Sequence, residues 1–125
     1  MTVLYTSIRP TLAALRQAAS LARDLEAVVR ILHVRTVPYP LPIDQPPADR
    51  EILSRKICTL AEGQPIPTRV EICYGRDFMD SLLQSLSPNS IVLIGLQRMH
   101  WWSKERRWAR LLSNHGHQIV FVSDR

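Results

Sequence analysis

Apolar positions along this chain fall into short runs and helical stripes that alternate, and their order predicts a fold. Thr2 to Thr6 is a short β-like start. Pro10 suits the first turn of a helix, where its missing N–H leaves no bond unmade. From there to about Leu25, the residues Leu12, Leu15, Ala19 and Ala22 share one helical face. Val28 to Val34 is apolar and β-branched, interrupted by Arg30 and His33, and reads as a central strand. Ala48 to Glu62 repeats the amphipathic spacing through Leu53, Ile57, Leu60 and Ala61, and Gly63 ends it. Thr68 to Cys73 alternates as a strand does. Gly75 and Asp77 then introduce a third helix with Met79, Leu82, Leu83 and Leu86 on one side, halted before Pro88.

The last third carries the strongest pattern. Ile91 to Ile94 is an aliphatic run that ends in Gly95, and a loop of bulky and charged residues follows. The helix after it turns Trp108, Leu111 and Leu112 inward and Arg106, Arg107 and Arg110 outward. Asn114 and Gly116 close that helix, and Ile119 to Val122 forms a second apolar strand. The order β-α-β-α-β-α-β-α-β predicts an α/β fold: an open parallel sheet with helices on both faces. Ligands of such sheets sit beyond the carboxyl ends of the strands, which puts Gly95 and its loop first among candidate sites.

Between the second strand and the second helix lies VPYPLPIDQPP, whose prolines exclude helix and inner strand. It is expected to be an extended surface connection, and no two of its prolines have PxxP spacing. The 125 residues contain no internal repeat and no linker, so a single domain, 1–125, is expected.

Composition narrows the classes. A hydrophobic fraction of 46% argues against disorder. The run Ile91 to Leu96 is far too short to span a bilayer, and the N-terminus lacks a basic region followed by an apolar stretch. Cys58 and Cys73 form no CxxC pair and read as buried free thiols. These features fit a soluble cytoplasmic protein.

The net charge of +5 is unevenly placed. Between Leu96 and Arg110, five bases (Arg98, Lys104, Arg106, Arg107 and Arg110) stand against Glu105 alone, a local excess of +4. Such a segment attracts phosphates, nucleic acid or acidic headgroups, and it is equally compatible with a solvated helix face.

Catalytic signatures are sparse. The chain has no GxSxG, no P-loop lysine motif, no HExxH and no nucleophile with an evident base, so enzymatic activity is not expected. His115 and His117 flank Gly116 at a helix end, where capping or solvation is expected and no metal. His33 reads as a satisfied core or rim histidine. Asp77 and Asp80 complement a helix dipole.

The segment ALRQAASLARDLEAVVRILHV, Ala14 to Val34, together with the turn at Gly75 and the strand SIVLIG, resembles the universal stress protein family over nearly the whole chain. That resemblance implies a five-stranded parallel sheet in the order 3-2-1-4-5. It implies a homodimer through the last strand, here Ile119, Val120, Phe121 and Val122. It also implies ATP or another adenine nucleotide held between the ends of the first and fourth strands, near Thr6, Val34 and Gly95.

Family members that bind ATP carry Gly-x2-Gly-x9-Gly-Ser/Thr after the fourth strand, where close backbone approach lets amides cradle phosphates. Gly95 matches the first glycine, but Arg98 stands at the second, and, with a loop a few residues shorter than the family's, the Gly-Ser pair falls near Glu105 and Arg106. Thr6 replaces the acidic residue that ends the family's first strand. The resemblance therefore implies a non-catalytic regulatory or stress-related binding protein whose nucleotide site is remodelled or lost.

In a remodelled site, Arg98 and Arg106 would grip phosphates beside Ser103, with Trp101 or Trp102 stacked on a base. In a lost site, the tryptophans pack over the sheet edge and the arginines face water. Two other classes remain. One is an interaction domain of the kind found in cytosolic portions of transporters, with the proline-rich and Trp-Trp segments as contact surfaces. The other is nonspecific binding of nucleic acid or anions through the basic helix.

Overall fold

A computed structural model describes residues 1–37, 50–96 and 104–123, and for Arg50, Glu51 and Leu53 only the backbone. The elements are β1 (Thr2–Leu4), α1 (Ile8–Leu25), β2 (Val29–Thr36), α2 (Arg50–Glu62), β3 (Thr68–Gly75), α3 (Phe78–Ser85), β4 (Ile91–Leu96), α4 (Lys104–Asn114) and β5 (Gln118–Ser123). The proline-rich expectation falls outside the described residues.

The strands form one parallel sheet in the order β3-β2-β1-β4-β5. This is the expected α/β architecture. Strand side chains alternate between faces, so consecutive apolar residues feed two separate cores. Val3, Ile31 and Leu93 pack with Ala14, Leu15 and Ala18 of α1 and with Ile57 of α2. Leu4, Leu32 and Ile94 pack on the opposite face with Leu82 of α3 and Leu112 of α4. Each fully buried Leu or Ile contributes about 1.5–3 kcal/mol of burial.

Several boundaries differ from the sequence expectation. β1 stops at Leu4, whereas β2 and β3 run on to Thr36 and Gly75 because both edges of that pair stay in register to the end. α1 starts at Ile8, and its inward face is Pro10, Thr11, Ala14, Leu15, Ala18, Ala19 and Ala22, with Leu12 at the margin. The small alanines allow α1 to lie close on the sheet.

In α4, Ala109 and Leu112 are buried and Trp108 half-buried, while Leu111 is exposed rather than inward. Leu111 falls roughly 100° from that stripe's centre on the helical wheel. Arg106, Arg107 and Arg110 face outward as expected. The free thiols Cys58 and Cys73 are half-buried, not buried.

The close of α4 is a Schellman turn. Gly116 takes φ 89°, His117 N–H donates to Leu112 O at 3.1 Å, and Gly116 N–H donates to Ser113 O at 3.0 Å. The His115 ring Nδ1 lies 2.8 Å from Leu111 O, a side-chain cap on an orphan carbonyl. His117 is buried, and its Nδ1 accepts the Ser90 N–H at 3.1 Å. No helix among the described residues is long and apolar enough to cross a membrane.

Candidate functional site

The chain reverses its direction of travel across the sheet between β1 and β4, and a parallel sheet opens a crevice at such a point. A cleft of 610 Å³ lies there, beyond the carboxyl ends of β1, β2 and β4. Its strand-end residues are Tyr5, Thr6, His33, Val34, Gly95 and Leu96. The starts of α1, α3 and α4 complete it with Ser7 and Pro10, Phe78, and Lys104, Glu105 and Trp108.

The turn from β1 into α1 is held by two bonds, one to the neighbouring strand β2 and one within the turn. Tyr5 N–H donates to Leu32 O at 2.8 Å, and Thr6 N–H donates to the buried Thr11 hydroxyl at 3.1 Å. Ser7 is the extended N-cap of α1, but its side chain makes no capping bond. The first turn of α1 therefore presents the partly positive end of a helix to the cleft.

Gly95 is shaped by packing. A Cβ placed there would meet the Pro10 carbonyl oxygen at 1.9 Å and its carbon at 2.3 Å. The bare backbone of Gly95 thus lets the first turn of α1 rest on β4. That close approach occupies the space a side chain would need.

Among the described residues, Thr6 Oγ1 and His33 Nδ1, on two residues that line the cleft, are buried and have no hydrogen-bond partner. Native structures leave few such groups unsatisfied. His33 is therefore not the satisfied histidine the sequence suggested. Its ring packs against Tyr5, with centroids 4.8 Å apart and planes tilted by 58°. Burial, reinforced by the Arg35 guanidinium, pushes the His33 pKa down to about 4, so the imidazole is neutral at physiological pH. Burial also raises the Tyr5 pKa, keeping its phenol protonated.

The other wall is aromatic. Phe78, the first residue of α3, stacks on Trp108 of α4 with centroids 4.3 Å apart and planes 26° from parallel. The Lys104 ammonium lies 5.4 Å from the centroid of the Trp108 ring, a cation–π contact.

Of the sequence-derived candidates, the fold brings Thr6, Val34 and Gly95 together at this cleft. Arg106 is exposed on α4 and is not one of the lining residues. Arg98 and Ser103 lie outside the described residues. Sequence reasoning missed Tyr5, Ser7, His33, Phe78, Lys104 and Glu105. A signal for them existed: each stands within three residues of a strand's carboxyl end or in the first turn of a helix.

No protein-family model matches the sequence, and no curated protein matches it. Among solved structures, the chain is similar to a universal stress protein crystallised in complex with cAMP. The match has a TM-score of 0.61 at 12% identity and covers 100% of this chain and 98% of the other. At that identity it is the fold that is shared: this chain has the universal stress protein fold, with the strand order the resemblance implied.

Proposed function

We propose that this chain is a cytoplasmic, non-catalytic regulatory binding protein of universal stress protein type, and that its ligand is an adenine nucleotide held in the 610 Å³ cleft. The observation that carries the reading is the cleft beyond the strand ends, where the polar residues Thr6, Ser7 and His33 stand among apolar walls. A pocket with a few convergent polar groups among apolar walls suits a small organic ligand. The similar fold crystallised with cAMP supports the same class of ligand. The site is remodelled relative to the glycine-rich pattern, with Gly95 packed on Pro10 and aromatic side chains in the wall.

The same reading includes a homodimer through β5. It is supported by β5 being hydrogen-bonded on one edge, to β4, among the described strands, and by Phe121 being 42% exposed there. Ile119, Val120 and Val122 flank it, half-buried.

Calorimetric titration of the full chain with ATP and magnesium, and with cAMP, tests the nucleotide reading. Saturable heat accompanied by a rise in Tm is the expected result. Absence of both at millimolar nucleotide overturns it.

A further inference from the structure

Independently of the cleft, we infer that this chain docks on an anionic membrane surface through the outward side of α1, with Arg9, Arg16 and Arg23 against the lipid headgroups.

The arrangement begins in the sequence of α1. Residues seven apart return to within about 20° on an α-helix and stand about 10.5 Å apart along its axis. Arg9, Arg16 and Arg23 keep that interval, so they form a straight row about 21 Å long. All three are exposed, and they lie opposite the stripe of Ala14, Ala18 and Ala22 that packs on the sheet. Between Ile8 and Arg23 the helix has no acidic residue, so neither Arg9 nor Arg16 has an acid one helical turn away. Among the described residues, none of the three arginines has an ion-pair partner. Arg9 also stands in the first turn, where the helix dipole disfavours a cation. Local helix energetics do not favour such a row, and an external anionic surface does.

α2 lies on the same face of the sheet, since Ile57 joins the core that holds Ala14 and Ala18. Its outward side carries Arg55 and Lys56, both exposed, and with them Ile52, which is 61% exposed. The exposed acids among the described side chains of these two helices are Asp24, Glu26 and Glu62. They fall at the carboxyl ends of the helices, away from Arg9, Arg16, Ile52 and Arg55.

The shape of the row favours a bilayer over a nucleic acid. A plane meets a straight row of about 21 Å along its whole length, whereas a duplex strand completes a turn in about 34 Å and leaves it. An apolar side chain set among bases, as Ile52 is, also suits the headgroup boundary.

Co-sedimentation of the full chain with vesicles tests this, using phosphatidylcholine alone and phosphatidylcholine with about one-third phosphatidylserine. Binding is expected to the mixed vesicles only, and to fall as salt rises above about 0.1 M, where charges are screened beyond about 10 Å. Arg16→Gln should weaken it about fivefold, and the triple variant Arg9→Gln, Arg16→Gln, Arg23→Gln about a hundredfold. These positions are exposed, so thermal melts should stay near that of the wild type, and Arg16→Gln alone supplies the answer if the triple variant does not fold. Arg107→Gln with Arg110→Gln removes charge from α4, on the other face of the sheet, and should leave binding within about twofold. A loss from the α4 pair equal to that from α1 would show attraction by net charge and overturn the α1 surface. Equal binding to both kinds of vesicle, or none at low salt, would overturn it too. Tighter binding to duplex DNA, with the same dependence on Arg16, would overturn the membrane in favour of nucleic acid.

Discussion

The Arg30 guanidinium holds the Thr2 hydroxyl from two of its nitrogens, Nε at 3.3 Å and Nη2 at 3.2 Å. Nη1 donates to Glu71 Oε2 at 2.7 Å, and Nη2 donates to the Ser85 carbonyl at 2.9 Å. One side chain on β2 thereby ties β1, β3 and the end of α3 together. A charge in the middle of an apolar strand looks misplaced in sequence, and these partners account for it.

Arg30→Ala should therefore destabilise the fold by about 2–3 kcal/mol, since it strands several polar partners at once. Glu71→Gln should cost about 1 kcal/mol or less, because Glu71 is 40% exposed and loses a single contact. Urea unfolding of both variants measures the difference. Equal losses would mean that the ion pair alone matters and that the Thr2 and Ser85 bonds are incidental.

Gly95→Ala should destabilise by about 1–3 kcal/mol or prevent folding, as overpacking against backbone does. The obstructing atoms belong to the Pro10 main chain, so no side-chain rotation relieves them. A thermal melt of Gly95→Ala indistinguishable from the wild type would remove the packing role assigned to this glycine.

The depressed pKa of His33 makes stability depend on pH. Between about 6.5 and about 4 the unfolded chain takes up a proton at this position that the folded chain does not. The His33 contribution is thus complete above pH 6.5 and is lost as pH falls towards 4. Its size is about 1 kcal/mol, discounted because the ring is partly solvated. The denaturant midpoint of the wild type should fall relative to that of His33→Phe as the pH is lowered through this window. Parallel profiles across the window would refute the assignment.

Phe121→Asp should convert the proposed dimer to a monomer by placing a charge on the outer edge of the sheet. Sedimentation velocity reads the outcome directly. A wild-type chain already monomeric at high micromolar concentration would dispose of the β5 interface.

The layered fold was legible in the sequence because each element repeats a simple period. The run from Ile91 to Ile94 reads as a buried strand between turn signals, and Met79, Leu82 and Leu83 share a face of α3, which stops at Ser85, one residue short of Leu86. Boundaries were less legible. β2 and β3 each continue past their apolar runs because pairing with each other extends them, from Val29 with Thr68 to Thr36 with Gly75. Leu111 misled for a related reason: hydrophobicity marks what can be buried, while the neighbouring layer decides what is.

Local sequence determined the elements, their order and two apolar faces for the sheet, since side-chain size and backbone period act within a few residues. The carboxyl-end position of the cleft also followed, because parallel strands put their loops there. Tertiary structure alone decided which residues meet at the cleft. Tyr5 meets His33 across 28 positions of chain, Phe78 meets Trp108 across 30, and Gly95 meets Pro10 across 85. No local pattern encodes such contacts. They arise when strand order and helix packing bring distant turns to one edge of the sheet, and there a glycine matched to a phosphate motif became a packing residue and a strand histidine became part of the cleft lining.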